Sequence, residues 1–166
     1  MTAVTVTPAR PADAARLAEF LVEGWSQTVV GHGTVYHPAE LPALVARDGT
    51  GALVGALTYH IAHAALEIVT IDARPPRNGA GTALLVAAAD LARRQGLARL
   101  WLVTTNDNLD ALRFYQRRGL RLVAVRPGAV DQARALKPGI PLVGAYGIPI
   151  RDELELALDL RAGATG

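Results

Sequence analysis

The sequence predicts an α/β fold in which helices cover a sheet, and three observations carry that expectation. Apolar residues recur at helical spacing in some segments and alternate in others, and the two kinds of segment interleave. Their order reads strand, helix, strand meander, helix, strand, helix, strand, strand, which suits a sheet with helices packed on it. The chain has 166 residues, 51% hydrophobic and 19% charged. A chain of that length buries about 70% of the surface that it exposes when unfolded. One compact domain over residues 1–161 is expected, with a frayed tail at 162–166.

Residues 4–7 alternate valine and threonine as a short strand does. Pro11 then opens a helix with Ala14, Leu17, Leu21 and Trp25 at helical spacing. The glycine, histidine and proline content of 26–42 reads as a loop or a broken helix. Residues 43–47 and 52–61 flank Asp48-Gly49 as the strands of a hairpin. A second turn at 62–64 leads into a strand at 66–72, so this meander is antiparallel. Residues 81–94 form a helix with Leu84, Leu85, Ala88, Leu91 and Ala92 on one stripe, stopped by Gly96. A strand at 99–104, a helix at 108–117 ended by Gly119, and a strand at 120–125 follow. In the last strand Leu154, Leu156, Leu158 and Leu160 alternate with Glu153, Glu155 and Asp159, which predicts a buried leucine face and a wet acidic one. The segment 125–151, rich in proline and glycine, is expected to be ordered, with a short helix at 130–136. Its Ile140, Leu142, Val143, Tyr146 and Ile148 need burial.

Composition excludes several function classes. The formal charge is +2, from 17 basic and 15 acidic residues spread along the chain, with no basic block to track a nucleic-acid backbone. Cysteine is absent, which removes disulfides, thiolate metal sites and cysteine nucleophiles and accords with a reducing cytoplasm. Residues 1–10 lack a basic stretch followed by an apolar core, and the apolar region 52–71 is broken by His60, His63 and Glu67. A soluble, cytoplasmic, bacterial protein with no membrane or nucleic-acid partner is expected. His32, His37, His60 and His63 have only Glu67 as a nearby acid, so no metal is expected.

The run Pro76-Arg77-Asn78-Gly79-Ala80-Gly81-Thr82-Ala83-Leu84 joins a strand to a helix through two glycines. Glycines let an anion approach the backbone, and the free N–H groups and dipole of a helix start stabilise its charge. A dinucleotide loop needs a third glycine where Leu84 stands, and an ATP-type loop needs Gly-Lys-Ser/Thr; neither is present. Taken alone, Gly79 and Gly81 also suit a plain tight turn. About 25 residues later, Asn108, Ala111, Phe114, Tyr115 and Gly119 form the pattern Asn-x-x-Ala-x-x-Phe-Tyr-x-x-x-Gly. Together the two segments resemble the GNAT family of acetyl-CoA-dependent N-acyltransferases. The element order over 4–160 is similar to that family's as well. Two positions depart from the pattern: Pro76 stands where the family has Gln or Arg, with Arg77 one place later as the candidate cation, and Leu120 replaces a common Phe.

The resemblance implies a mixed, mostly antiparallel sheet of about seven strands flanked by about four helices. It implies acetyl-CoA as cosubstrate, with the pyrophosphate on Arg77, Asn78, Gly79, Ala80, Gly81, Thr82 and Ala83. The pantetheine would run along the strand backbone at Val69, Ile71 and Ala73, with Asn108, Ala111 and Phe114 near the other wall. Glu67 resembles the strand glutamate that serves as general base, and Tyr115 the usual proton donor to the leaving thiolate. On the residues alone, a salt-bridged Glu67 and a packed Tyr115 remain open, and His60, Glu153 or bulk water are rival bases. The implied activity is transfer of an acetyl group to a primary amine of a small molecule or peptide by direct attack in a ternary complex. The alternative is a non-catalytic acyl-CoA-binding or interaction module with the same fold. The segment 125–151 would form an acceptor-side wall, where Asp131, Arg134 and Lys137 lie and where a second subunit of a homodimer would meet.

Overall fold

A computed structural model describes residues 3–161; the expected tail at 162–166 lies outside them. The elements are β1 (Thr5–Pro8), α1 (Ala14–Gly24), β2 (Val29–Gly31), β3 (Thr34–Tyr36), β4 (Ala43–Arg47), β5 (Leu53–Ala62) and β6 (Ala65–Ala73), followed by α2 (Ala80–Arg94) and β7 (Arg99–Thr105). The chain continues through α3 (Leu109–Arg117), β8 (Arg121–Arg126), α4 (Ala129–Leu136) and β9 (Glu153–Asp159). The fold is mixed α/β, with a seven-stranded sheet in the order β1-β4-β5-β6-β7-β9-β8 and a separate β2–β3 pair. The pairs β1–β4, β4–β5, β5–β6 and β8–β9 are antiparallel. Two compact units are distinguished. The first holds residues up to Val29, His37–Leu100 and the chain from Leu160; the second holds Val30–Tyr36 and Trp101–Asp159.

In the first unit the hairpin strands β4 and β5 carry the core. Val45 and Ala56 are buried against Leu17, Phe20 and Leu21 of α1. The buried stripe of α1 adds Phe20 to the expected Leu17 and Leu21, whereas Trp25 falls after the helix end and is exposed. On α2, Leu84, Leu85, Ala88 and Ala92 are buried as the stripe predicts. Gly96 takes φ +70, and the amide of Leu97 donates to the carbonyl of Ala92, the six-to-one bond that closes a helix on a left-handed glycine. Gly55 lies beneath the first turns of α2. A Cβ there would sit 3.0 Å from Leu84 Cδ1 and 3.2 Å from the Ala80 Cβ, so only glycine lets the helix settle this close to β5.

Two expectations are corrected. Residues 26–42 hold the β2–β3 hairpin, turning at His32 (φ 42°) and Gly33 (φ 80°), and a single 3-10 turn at Pro38–Glu40, rather than a loop or broken helix. The acidic face of β9 is wet only at its end: Asp159 is exposed, but Glu153 and Glu155 are only 3% and 7% exposed. The β2–β3 turn covers Glu153, whose Oε2 accepts from the amide of His32 at 3.0 Å, and the His32 ring packs 5.1 Å from that of Trp101. Arg126 on β8 donates to Glu155 Oε2 at 2.5 Å. Alternation predicts which residues share a face, but not which element later covers it.

The segment between β8 and β9 is held by hydrogen bonds rather than by the burial expected of its apolar residues, since Leu142, Val143 and Tyr146 are exposed. Arg134 of α4 gathers it by donating to the carbonyls of Ile140 (3.3 Å), Pro141 (2.7 Å) and Ile150 (2.8 Å). Its guanidinium therefore works on the segment's own backbone, and partial burial lowers the Lys137 ammonium below its ordinary pKa.

The β5–β6 turn is a two-residue hairpin in which His63 (φ 51°) and Ala64 (φ 57°) are both left-handed, a geometry that favours Asn-Gly. Relief of the Cβ clash in Ala64→Gly is expected to stabilise the protein by about 1 kcal/mol and to raise Tm by about 3 °C. Thermal unfolding of the single variant checks this.

Candidate active site

The first unit presents a helix start prepared for an anion. Where β6 ends, Arg74 is fixed by Asp72 (3.0 Å), Glu23 Oε2 (2.6 Å) and the Phe20 carbonyl, with its guanidinium 3.8 Å over the Phe20 ring. This clamp ties the strand end to the last turn of α1 and so sets where the glycine loop begins. Arg77 then takes φ 63° with its side chain exposed, and Gly79 takes φ 84° as the N-cap of α2. No atom lies within 4 Å of a Cβ built on Gly79, so that side of the loop is open. Asn78 Oδ1 accepts from the Ala80 amide at 2.9 Å, and the first helical bond runs from the Ala83 amide to the Gly79 carbonyl at 3.0 Å. Gly81 and Thr82 therefore lie in the first turn, at the positive end of the helix. These residues fit a pyrophosphate: an exposed cation, an open left-handed glycine and first-turn amides.

Strand β6 carries one residue more than its partner between Ile68 and Thr70. Thr58 opposes Thr70, yet the next residue, Tyr59, opposes Ile68, which leaves Val69 without a cross-strand partner. Such a bulge takes one residue's backbone out of the ladder and reverses the alternation beyond it. Simple alternation would put Glu67 on the face of Val69, Ile71 and Ala73. The register instead aligns Glu67 with His60, Thr70 with Thr58 and Asp72 with Ala56. Glu67 is buried at 5% exposure, whereas His60 is exposed. Thr58 and Thr70, both buried, share a hydroxyl hydrogen bond of 2.7 Å. The open choice for Glu67 narrows accordingly: it is not a solvent-facing strand residue. Ile71 and Ala73 oppose Leu57 and Gly55 on the α2 side.

In the second unit Asn108 caps α3. Its Oδ1 accepts from the Ala111 amide (3.3 Å) and its Nδ2 donates to Thr104 Oγ1 (3.2 Å), so both ends of the amide are engaged in setting the helix start. Phe114 meets Tyr115 edge to face at 5.2 Å and carries Arg118 at 3.8 Å from its ring centroid. Tyr115 is buried, and desolvation raises its phenol well above the ordinary tyrosine pKa. The group is therefore a neutral donor throughout the physiological range. Gly119 at φ 94° ends α3, and Leu120 is buried.

Two residues just ahead of the motif have structural roles that the sequence reading missed. Asp107 is buried, accepts from Thr105 Oγ1 (2.5 Å), and reaches across the chain to accept from the Ala145 amide (2.9 Å). Asn106 accepts from the amides of Arg151 (2.9 Å) and Asp152 (3.0 Å) and donates to the Pro149 carbonyl (2.9 Å). The run Asn106-Asp107-Asn108 signals turn and cap chemistry, but partners about 40 residues away leave no local mark. Among the described residues no group of three or more His, Cys, Asp or Glu is placed to hold a metal ion. No described helix is long and apolar enough to cross a membrane.

The family model of the acetyltransferase (GNAT) family matches residues 10–120. Uncharacterized protein YdhI of Bacillus subtilis (strain 168) is 39% identical over 140 residues, covering 83% of this chain and 87% of its own. Streptothricin acetyltransferase of Streptomyces lavendulae is 38% identical over 77 residues, 45% of this chain and 41% of its own. Among solved structures, Arabidopsis thaliana NAA60 in complex with acetyl-CoA superposes with a TM-score of 0.69 at 16% identity, over 96% of this chain and 99% of that one. The chain belongs to the GNAT acetyltransferase family.

Two outcomes follow from this geometry. The folded chain holds the Tyr115 proton after the unfolded chain has released it, so its contribution is complete below pH 10 and is lost as pH rises further. Urea titrations at pH 9, 10 and 11 should show wild type losing up to about 1.4 kcal/mol per unit above pH 10 more than Tyr115→Phe does. A Cβ at Gly144 would overlap the Asp107 carboxylate and Ile150 Cδ1. Gly144→Val should therefore release the loop, which limited proteolysis would detect as new cleavage within 139–150.

Proposed function

We propose that the chain is an acetyl-CoA-dependent N-acetyltransferase that transfers an acetyl group to a primary amine of a small molecule or peptide by direct attack within a ternary complex. The observation that carries this reading lies in the first unit: one strand provides a buried carboxylate and a bulge, and the loop after it opens a helix at a left-handed glycine. Acetyl-CoA supplies the activated thioester. Arg77, Asn78, Gly79, Ala80, Gly81, Thr82 and Ala83 receive its pyrophosphate, and the β6 backbone at Val69, Ile71 and Ala73 its pantetheine. Ala111 and Phe114 are the α3 residues assigned to the cofactor by the family pattern, while Asn108 acts through the cap that fixes that helix.

A substrate ammonium with pKa near 10.4 exposes its lone pair at a cost of about 4 to 5 kcal/mol at pH 7, so the site needs a base. Glu67 takes that proton, and the amine attacks the thioester carbonyl. A backbone amide of 69–71, where the bulge interrupts the ladder, holds the oxyanion. Collapse breaks the carbon–sulfur bond. Tyr115 is a weaker acid than the leaving thiol, whose pKa is about 8.5, so full transfer from it is uphill by at least 2 kcal/mol. Its part is to donate a hydrogen bond to the sulfur as negative charge builds. With no cysteine in the chain, no thioester acyl-enzyme intervenes. The likeness to streptothricin acetyltransferase over 77 residues supports a small-molecule amine.

Calorimetry should show 1:1 acetyl-CoA binding, weakened at least about tenfold by Gly81→Glu, which sets a carboxylate against the phosphates. Tyr115→Phe and Glu67→Gln should each lower kcat by about a hundredfold while leaving the cofactor Kd within twofold. Thiol release over a panel of amines measures this. No binding at millimolar acetyl-CoA overturns the reading; binding without turnover over a broad panel makes the chain an acyl-CoA-binding module.

A further inference from the structure

We propose that His60 is the exit for the proton that Glu67 collects, a positioning and relay residue on the neighbouring strand. The inference rests on the assignment of Glu67 as base. The reaction's balance requires an exit. An ammonium and acetyl-CoA give an amide, a thiol and one proton, so each turnover below the thiol's pKa must deliver one proton to solvent. In the first step an N–H bond of the ammonium breaks and a Glu67 O–H bond forms. After attack, the second N–H proton goes to the thiolate sulfur, with Tyr115 hydrogen-bonded to it. The proton left on Glu67 must depart before the next cycle, and that side chain is almost wholly buried.

The β5–β6 register supplies the route. His60 lies directly opposite Glu67, and opposed residues in an antiparallel pair have Cβ atoms about 5 Å apart, within reach of an imidazole and a carboxylate. His60 is exposed, so it can receive a proton on one ring nitrogen and release one from the other to water. The other positions aligned on this face do not serve. Thr58 and Thr70 are hydrogen-bonded to each other, Ala62 and Ala65 have no titratable group, and Asp72 is ion-paired with Arg74. The bulge at Val69 creates the pairing: in a regular ladder continued from Thr58 and Thr70, Val69 would stand opposite Tyr59 and Ile68 opposite His60, which puts Glu67 one place away.

The test measures kcat and both KM values for a primary amine in dilute buffer lacking imidazole, with and without millimolar imidazole. It compares wild type, His60→Gln, His60→Thr, Glu67→Gln and the double variant. His63→Gln serves as a control on the adjacent turn. Both His60 variants should lose about tenfold in kcat with KM values within twofold, and imidazole should restore them without affecting wild type. In the Glu67→Gln background the His60 substitution should cause no further loss. Wild-type kcat in the His60 variants, a loss that imidazole does not restore, or an equal loss in the Glu67→Gln background each overturns the relay while leaving the base assignment standing. Undiminished turnover in Glu67→Gln alone overturns the base assignment and the relay with it.

Discussion

One extra residue in β6 decides which face of the sheet Glu67 occupies. Side chains alternate strictly along a strand, so a single insertion reverses the face of everything beyond it. Up to Thr70 the register pairs Ala56 with Asp72 and Thr58 with Thr70; past Val69 it pairs His60 with Glu67. The carboxylate thereby joins the face where Ala56 packs against Leu17, Phe20 and Leu21 of α1. The opposite face, with Gly55, receives α2 so closely that a methyl group would collide with Leu84. The bulge thus keeps the acid off the surface that α2 occupies, and interrupts the backbone ladder beside it.

The glycine loop depends on a second constraint, the clamp at Arg74. Its guanidinium joins Asp72, Glu23 and the Phe20 carbonyl, so the end of β6 and the end of α1 are held by one side chain. The loop leaves from a fixed point, and the left-handed turns at Arg77 and Gly79 then direct it into α2. In the second unit polar side chains act beside buried apolar residues such as Leu102, Leu120, Val130 and Leu156. Asn106, Asp107 and Arg134 satisfy backbone groups of the 140–152 segment, and Glu153 and Glu155 are buried on hydrogen bonds from the His32 amide and Arg126. Removing one partner of such a set leaves a buried charge or amide unsatisfied, and a side chain on Gly144 would displace the Asp107 carboxylate that it lies against.

The long elements were legible because each is specified by periodicity and by a stop signal within a few residues of its end. The helix stripe of Leu84, Leu85, Ala88 and Ala92, its end at Gly96, the hairpin over Asp48-Gly49 and the cap at Asn108 are all local facts of the chain, as is the glycine spacing before α2. The three-residue strands β2 and β3 were not legible, since no period can be read from so few positions. Alternation likewise placed Glu153, Glu155 and Asp159 together on one face of β9 and failed to say that the β2–β3 turn buries the first of them.

The sequence by itself therefore determined the class of fold, the phosphate-loop candidate and the identities of Glu67 and Tyr115 as the groups to examine, because these follow from residue type and near-neighbour spacing. Only the tertiary structure decided which way Glu67 faces and that His60 is its neighbour. A bulge is defined by pairing with another strand, and nothing in Leu66 to Thr70 marks where the extra residue falls. The burial that raises the Tyr115 phenol, and the reach of Asp107 to Ala145, are decided in the same way. Desolvation and long-range hydrogen bonds exist only once distant segments have closed over one another.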